Sequence, residues 1–156
     1  RKNGVLTIKQ SASGVHHVNS DLTIAITVPK QLLKNVTLST NDGDIEVENI
    51  ATTNSISVDT NDGDIDITNL RAPNGKINTN DGDININKLI SKNGFKVNTD
   101  DGDIKVSNSS FTGYRLDTSD GDIKVKDSSS SSTFIDNKNS SNVLIASTQD
   151  GDIKIK

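Results

Sequence analysis

Along most of the chain, apolar residues alternate with polar ones in short bursts that come in pairs around a tight polar turn. Ile56-Ser57-Val58-Asp59-Thr60 leads into Asn61-Asp62-Gly63-Asp64, and Ile65-Asp66-Ile67-Thr68 leads out. Period two over a few residues predicts a strand with one buried face, so each unit reads as strand, turn, strand. The unit recurs, with Asp-Gly-Asp at 42–44, 62–64, 81–83, 101–103, 120–122 and 150–152, spaced by 20, 19, 20, 19 and 30 residues. Thr precedes the first Asp by two positions in every copy (Thr40, Thr60, Thr79, Thr99, Thr118, Thr148), and Ile follows the second. Two residues later comes Val or Ile: Val47, Ile67, Ile86, Val106, Val125, Ile155.

A unit of about twenty residues cannot bury an apolar face alone, so successive units are expected to stack as coils with parallel strands about 4.8 Å apart. The fold class predicted is all-β, a right-handed parallel β-solenoid, the hand following the general preference of parallel crossovers. An antiparallel meander is the competing arrangement, since Asp-Gly also makes hairpins; the constant period favours stacking. Gly43, Gly63, Gly82, Gly102 and Gly121 are expected at positive φ, with Gly151 as the sixth structural turn, and Asn74-Gly75 and Asn93-Gly94 mark a second corner. Residues 1–156 are expected to form one domain, in which 1–35 are an N-terminal cap with the first strands. Regular coils fill 36–127, a serine-rich insertion 128–142 leaves as a loop or small hairpin, and 143–156 make the last coil with no cap visible after it. Leu22, Ile24, Ile26 and Val28 suggest a longer first strand ending at Pro29.

Composition agrees with this. Ile, Val, Leu and Phe make up 41 of 156 residues, enough for a thin core, while helix formers are scarce. The chain has no Cys, which removes disulfides and thiolate chemistry, and a net charge of −4 argues against nucleic acid. No apolar run reaches the ~20 residues of a membrane span, and Arg1 does not open a signal peptide, so any targeting segment is expected outside these residues.

Three patterns carry candidate chemistry. The first aspartates of the turns, Asp42, Asp62, Asp81, Asp101, Asp120 and Asp150, would form a ladder whose repulsion Ca²⁺ could relieve; otherwise the Asp residues serve the turns by accepting backbone hydrogen bonds, the preferred reading. No other cofactor is expected. The six threonines would be an exposed ladder for ice or polysaccharide, or strand residues bonding their neighbours, again the preferred reading. The outward positions of the second strand run Glu46/Glu48, Asp66/Thr68, Asn85/Asn87, Lys105/Ser107, Lys124/Lys126 and Lys154/Lys156, acidic to basic along the stack. That gradient either protects edges or presents Lys105, Lys124, Lys126, Lys154 and Lys156 to an anionic partner. His16-His17 has no partner that would make a metal or catalytic site, and no Gly-x-Ser-x-Gly elbow is present, so no enzyme is expected.

The strand Ile24 to Pro29 followed by repeated Thr-x-Asp-Gly-Asp-Ile-x-Val units resembles a bacterial adhesin-type domain family of unknown function, built from Gly-Asp-Ile or Gly-Ser-Val repeats. The resemblance covers nearly the whole chain. It implies a β-solenoid of envelope-associated proteins, on the cell envelope or its extracellular face, in some cases linked to envelope stress responses, and it supplies no catalytic residues. The function expected is a non-enzymatic interaction module whose partner is a protein or an envelope polymer or lipid surface. The alternative is a calcium-dependent carbohydrate-binding module, with a polysaccharide-degrading β-helix enzyme third.

Overall fold

The computed structural model describes residues 25–28 and 33–156, in which fourteen strands form two sheets of seven. The strands pair off into coils, each with one strand on either side of its Asp-Gly-Asp turn. Coil 1 holds β1 (Leu33–Ser39) and β2 (Ile45–Glu48), coil 2 β3 (Thr52–Asp59) and β4 (Ile65–Arg71), and coil 3 β5 (Asn74–Asn78) and β6 (Ile84–Ile90). Coil 4 holds β7 (Phe95–Asn98) and β8 (Ile104–Ser107), and coil 5 β9 (Gly113–Asp120) and β10 (Ile123–Val125). A hairpin follows, β11 (Ser128–Ser130) and β12 (Thr133–Asp136), and then coil 6 with β13 (Val143–Asp150) and β14 (Ile153–Ile155). Pairing between coils is parallel throughout and in register apart from an irregularity between Leu33 and Asn35 of β1, with Ile65 on Ile84 on Ile104, for example. The chain is a β-solenoid.

The stacking order differs from the sequence order. One sheet runs β1-β3-β5-β7-β13-β9-β12 and the other β2-β4-β6-β8-β14-β10-β11, so coil 6 lies between coils 4 and 5. The serine-rich segment is the hairpin beyond coil 5. Its strands add antiparallel to β10 and β9, one on each sheet, and close the stack at that end. The cap is therefore internal to the sequence rather than missing. A two-residue turn, Lys126-Asp127, reverses the chain out of coil 5, and the remaining chain returns to coil 6, which is inserted beneath that coil.

Alternation puts the apolar columns between the sheets. Val58, Ile77, Val97, Ala146 and Leu116 form one column and Ile65, Ile84, Ile104, Ile153 and Ile123 the facing one, all fully buried. Each of the Val, Ile and Leu side chains contributes about 1.5–3 kcal/mol by leaving water. Leu70 on Leu89 extends the core toward a third, narrower side. Asn49, Asn69, Lys88 and Asn108 turn that corner at φ of 52–65°, the left-handed region that Asn tolerates best.

Two expected corners come out differently. Gly94 turns at φ +90°, its amide bonded to Ser91 Oγ, whereas Gly75 lies inside β5. A Cβ on Gly75 would collide with the Phe95 ring and the Ile56 carbonyl, so that glycine makes room for the aromatic of the next coil. The first strand expected around Leu22 to Val28 lies mostly outside the described residues, as does His16-His17; residues 25–28 are irregular, with Ile26 exposed.

Candidate interaction face

The turn ladder brings polar groups from all six coils into one line. Gly43, Gly63, Gly82, Gly102 and Gly151 have positive φ between 128° and 159°; Gly121 does not share it. Gly121 is required for another reason, which applies to every turn glycine except Gly43. A Cβ at Gly63, Gly82, Gly102, Gly151 or Gly121 would strike the carbonyl oxygen of the glycine in the preceding coil. The coils approach so closely here that no side chain fits between them.

Those carbonyls are also held by the threonines. Thr60, Thr79, Thr99, Thr148 and Thr118 are buried, and their Oγ1 atoms donate to Gly43, Gly63, Gly82, Gly102 and Gly151 O at 3.0–3.2 Å. An exposed threonine surface for ice or glycan is thereby corrected: five of the six hydroxyls face inward, and Thr40 bonds locally to Asp42 O.

The two aspartate ladders have different surroundings. The second ones pass hydrogen bonds from coil to coil: the amides of Asp64, Asp83, Asp103, Asp152 and Asp122 donate to Oδ1 of Asp44, Asp64, Asp83, Asp103 and Asp152 at 2.8–2.9 Å. The first ones, Asp42, Asp62, Asp81, Asp101, Asp150 and Asp120, stand in register and exposed. Their carboxylates have no ion pair or side-chain hydrogen bond among the described residues. Nor does any trio of Asp, Glu or His there gather as a metal-holding group.

The outer face of the second sheet carries the charge gradient. Pairing aligns Glu46, Asp66, Asn85, Lys105, Lys154 and Lys124 in one column, so inserting coil 6 leaves the gradient running from acid to base. The lysines are not equivalent. Lys105 Nζ lies 3.6 Å from Asp83 Oδ2 and 3.3 Å from Asp103 Oδ2, and Lys154 Nζ lies 3.0 Å from Asp152 Oδ2. The Asp122 amide, then the Lys154 ammonium, hold the Asp152 carboxyl below the usual carboxylate range, and Asp152 holds Lys154 above its ordinary value. Lys124, Lys126 and Lys156 have no ion pair among the described residues and are exposed at the capped end. Lys126 differs from the expected strand position, since it begins the hairpin turn at φ 52°.

A shallow depression of about 180 Å³ marks the crossover from acid to base, lined by Asp66, Asn85, Lys105 and Ser107. On the other sheet, a groove of about 540 Å³ lies against the hairpin, lined by Asn98, Ser147, Asp117, Thr133 and Gln149 among others. A side-chain ladder that the sequence did not suggest runs across the coils into it, reaching the groove at Asn98 and Ser147. Asn78 Nδ2 bonds Asp59 Oδ1, Asn98 Nδ2 bonds Asn78 Oδ1, and Ser147 Oγ bonds Asn98 Oδ1, at 2.6–2.9 Å. A short polar residue recurring one position beyond the inner apolar one (Asp59, Asn78, Asn98, Ser147) was the available signal.

Among the described residues, no helix is long and apolar enough to cross a membrane. Comparison with curated proteins and with solved structures returned no match. A family model, Toastrack DUF4097, matches residues 1–136, from the first residue to the last of β12. The repeated Asp-Gly-Asp coils, their two parallel sheets and this match together make the chain a member of the Toastrack DUF4097 family, a domain of unknown function.

Proposed function

We propose that the protein is a non-enzymatic interaction module of a bacterial envelope protein, and that its basic end engages an anionic polymer or lipid headgroup surface. The observation that carries this reading is the position of Lys124, Lys126 and Lys156, three exposed ammonium groups with no ion pair among the described residues, on the two coils nearest the cap, while Glu46, Glu48 and Asp66 occupy the opposite end. Separation of charge along a rigid stack orients the molecule in the field of a polyanion even though the net charge is −4. The envelope location, and any link to envelope stress, rest on the resemblance of the repeats to adhesin-type domains.

The test is binding to vesicles containing phosphatidylglycerol and to purified wall teichoic acid, at about 20 mM and about 150 mM salt, where screening separates exposed charge from buried contact. Wild type is expected to bind at low salt and weaken as salt rises. Changing Lys124, Lys126 and Lys156 together to Gln should remove most of the binding without altering the far-ultraviolet spectrum. Absence of binding at both salts, or equal binding by the triple variant, rejects the reading.

The hydroxyl- and amide-lined groove beside the hairpin favours a second reading, a neutral glycan site. In that case soluble polysaccharide binding should be insensitive to salt and lost on Ser147→Phe.

A further inference from the structure

Coil 6 reaches its place by insertion, and the strand pairings that hold it there are indifferent to how it is attached. On one side, Leu144, Ala146 and Ser147 pair with Phe95, Val97 and Asn98, and Ile153 and Ile155 with Ile104 and Val106. On the other, β13 pairs with β9 from Val143 to Asp150, and β14 with β10. Backbone bonds close both seams: Gly102 N to Asp150 O and Ile104 N to Asp152 O below, Gly151 N to Asp120 O and Ile153 N to Asp122 O above. The covalent tie is the surface run 137–142, mostly exposed and bonded to the stack at Thr112 through Asn137 and Ser140. At its end, buried Asn142 donates Nδ2 to Ser110 O at 2.8 Å and to Ser91 O at 3.3 Å, while its Oδ1 has no partner among the described residues.

We propose that the space between coils 4 and 5 is a strand-acceptor slot, and that it takes residues 143–156 of a second copy of this chain as readily as its own. The slot selects a coil with Leu, Ala and Thr at alternating positions followed by Asp-Gly-Asp-Ile-x-Ile, and the chain itself carries that donor. An exchanged coil reproduces both seams and all the column contacts, and only the path of 137–142 and its bonds to Thr112 change. Reciprocal exchange closes a twofold dimer. The acceptor strands β7 to β10 lie within the family match and the donor lies beyond residue 136.

The chain has no Cys, so cross-linking reports without background. Asn98 and Ser147 are register partners with side chains in contact, which places their Cα atoms within disulfide reach. Full-length Asn98→Cys and Ser147→Cys variants are unfolded, mixed at high concentration, refolded and oxidised; Asn98→Cys with Thr37→Cys is the control pair. A disulfide-linked heterodimer several-fold above the control is expected, together with a wild-type dimer that dissociates slowly on dilution. The Asn98→Cys/Ser147→Cys double variant, oxidised within one chain, is expected to stay monomeric. Refolded wild type that is monomeric at every concentration, a dimer whose 98–147 cross-link does not exceed the control, or equal dimerisation by the locked variant overturns the proposal.

Discussion

Thr99 Oγ1 donates to the Gly82 carbonyl at 3.0 Å, and the same oxygen occupies the space that a Cβ on Gly102 would need. One residue of the Thr-x-Asp-Gly unit satisfies the acceptor and another, three positions on, stays small enough to let it approach. The threonine and the glycine therefore recur together because they serve a single atom of the coil beneath.

Gly102→Ala meets both a backbone clash and a positive φ, and should cost about 3 kcal/mol or more. Gly43 has nothing within 4 Å of its Cβ position, so Gly43→Ala bears only the conformational cost, about 1–2 kcal/mol. Gly121→Ala bears the clash without the φ. Urea unfolding of the three variants should show Gly102→Ala as the least stable; three equal losses would mean that stacking distance does not set the glycine requirement.

Thr99→Val keeps the shape and deletes the hydroxyl, leaving the Gly82 carbonyl without its side-chain donor, and is expected to cost about 1–2 kcal/mol. Thr40→Val should cost almost nothing, because Thr40 reaches no earlier coil among the described residues. Thermal melts distinguish the two.

Phe95 lies over Gly75 and meets Phe111 edge-on, with ring centroids 6.3 Å apart. Gly75→Ala should destabilise strongly and Phe95→Leu moderately. The double variant should lose less than their sum by about 0.5–2 kcal/mol, since the smaller residue admits the Cβ, although the Ile56 carbonyl still opposes it. Strict additivity would show that the two positions do not share space.

The first aspartates stand in register without a counter-ion among the described residues, so like charges repel in the folded state. Asp81→Asn should raise the melting temperature at low salt, with the gain shrinking toward 1 M salt. Millimolar calcium is expected to produce no specific rise. A calcium-dependent rise that Asp81→Asn/Asp101→Asn abolishes would instead identify a cation site.

Asp152 is depressed by the Asp122 amide and Lys154, so its contribution is present above the unfolded carboxylate value and lost as pH falls through its lower folded value. Lys154 is raised, so its share is present at neutral pH and lost as pH rises through the folded lysine value. Asp152→Asn should flatten the acid limb of the stability curve and also lessen the alkaline loss, since Asp152 is the main cause of the raised Lys154 value. Denaturation midpoints measured from pH 2 to pH 11 would check both limbs. An unchanged acid limb would contradict the assignment.

The coil itself was legible in the sequence because it is a local object. Period-two alternation, the Asp-Gly-Asp turn and the constant spacing act within one unit, and stacking follows because one unit cannot bury its face alone. The columns Ile65, Ile84 and Ile104 and the gradient from Glu46 to Lys124 were readable for the same reason. Coil order was not. Coils 4, 5 and 6 share the Thr-x-Asp-Gly-Asp-Ile turn and carry apolar, though different, column residues, so 120–122 satisfies 101–103 as well as 150–152 does, and sequence alone leaves the arrangements degenerate. The tertiary structure decides through the hairpin of Ser128–Asp136, which occupies both sheet edges beyond coil 5 and leaves Val143–Ile155 an internal place with neighbours on both sides. The burial of the threonines was likewise settled only in three dimensions, where the acceptor for each hydroxyl is the carbonyl of a glycine sixteen or more residues away.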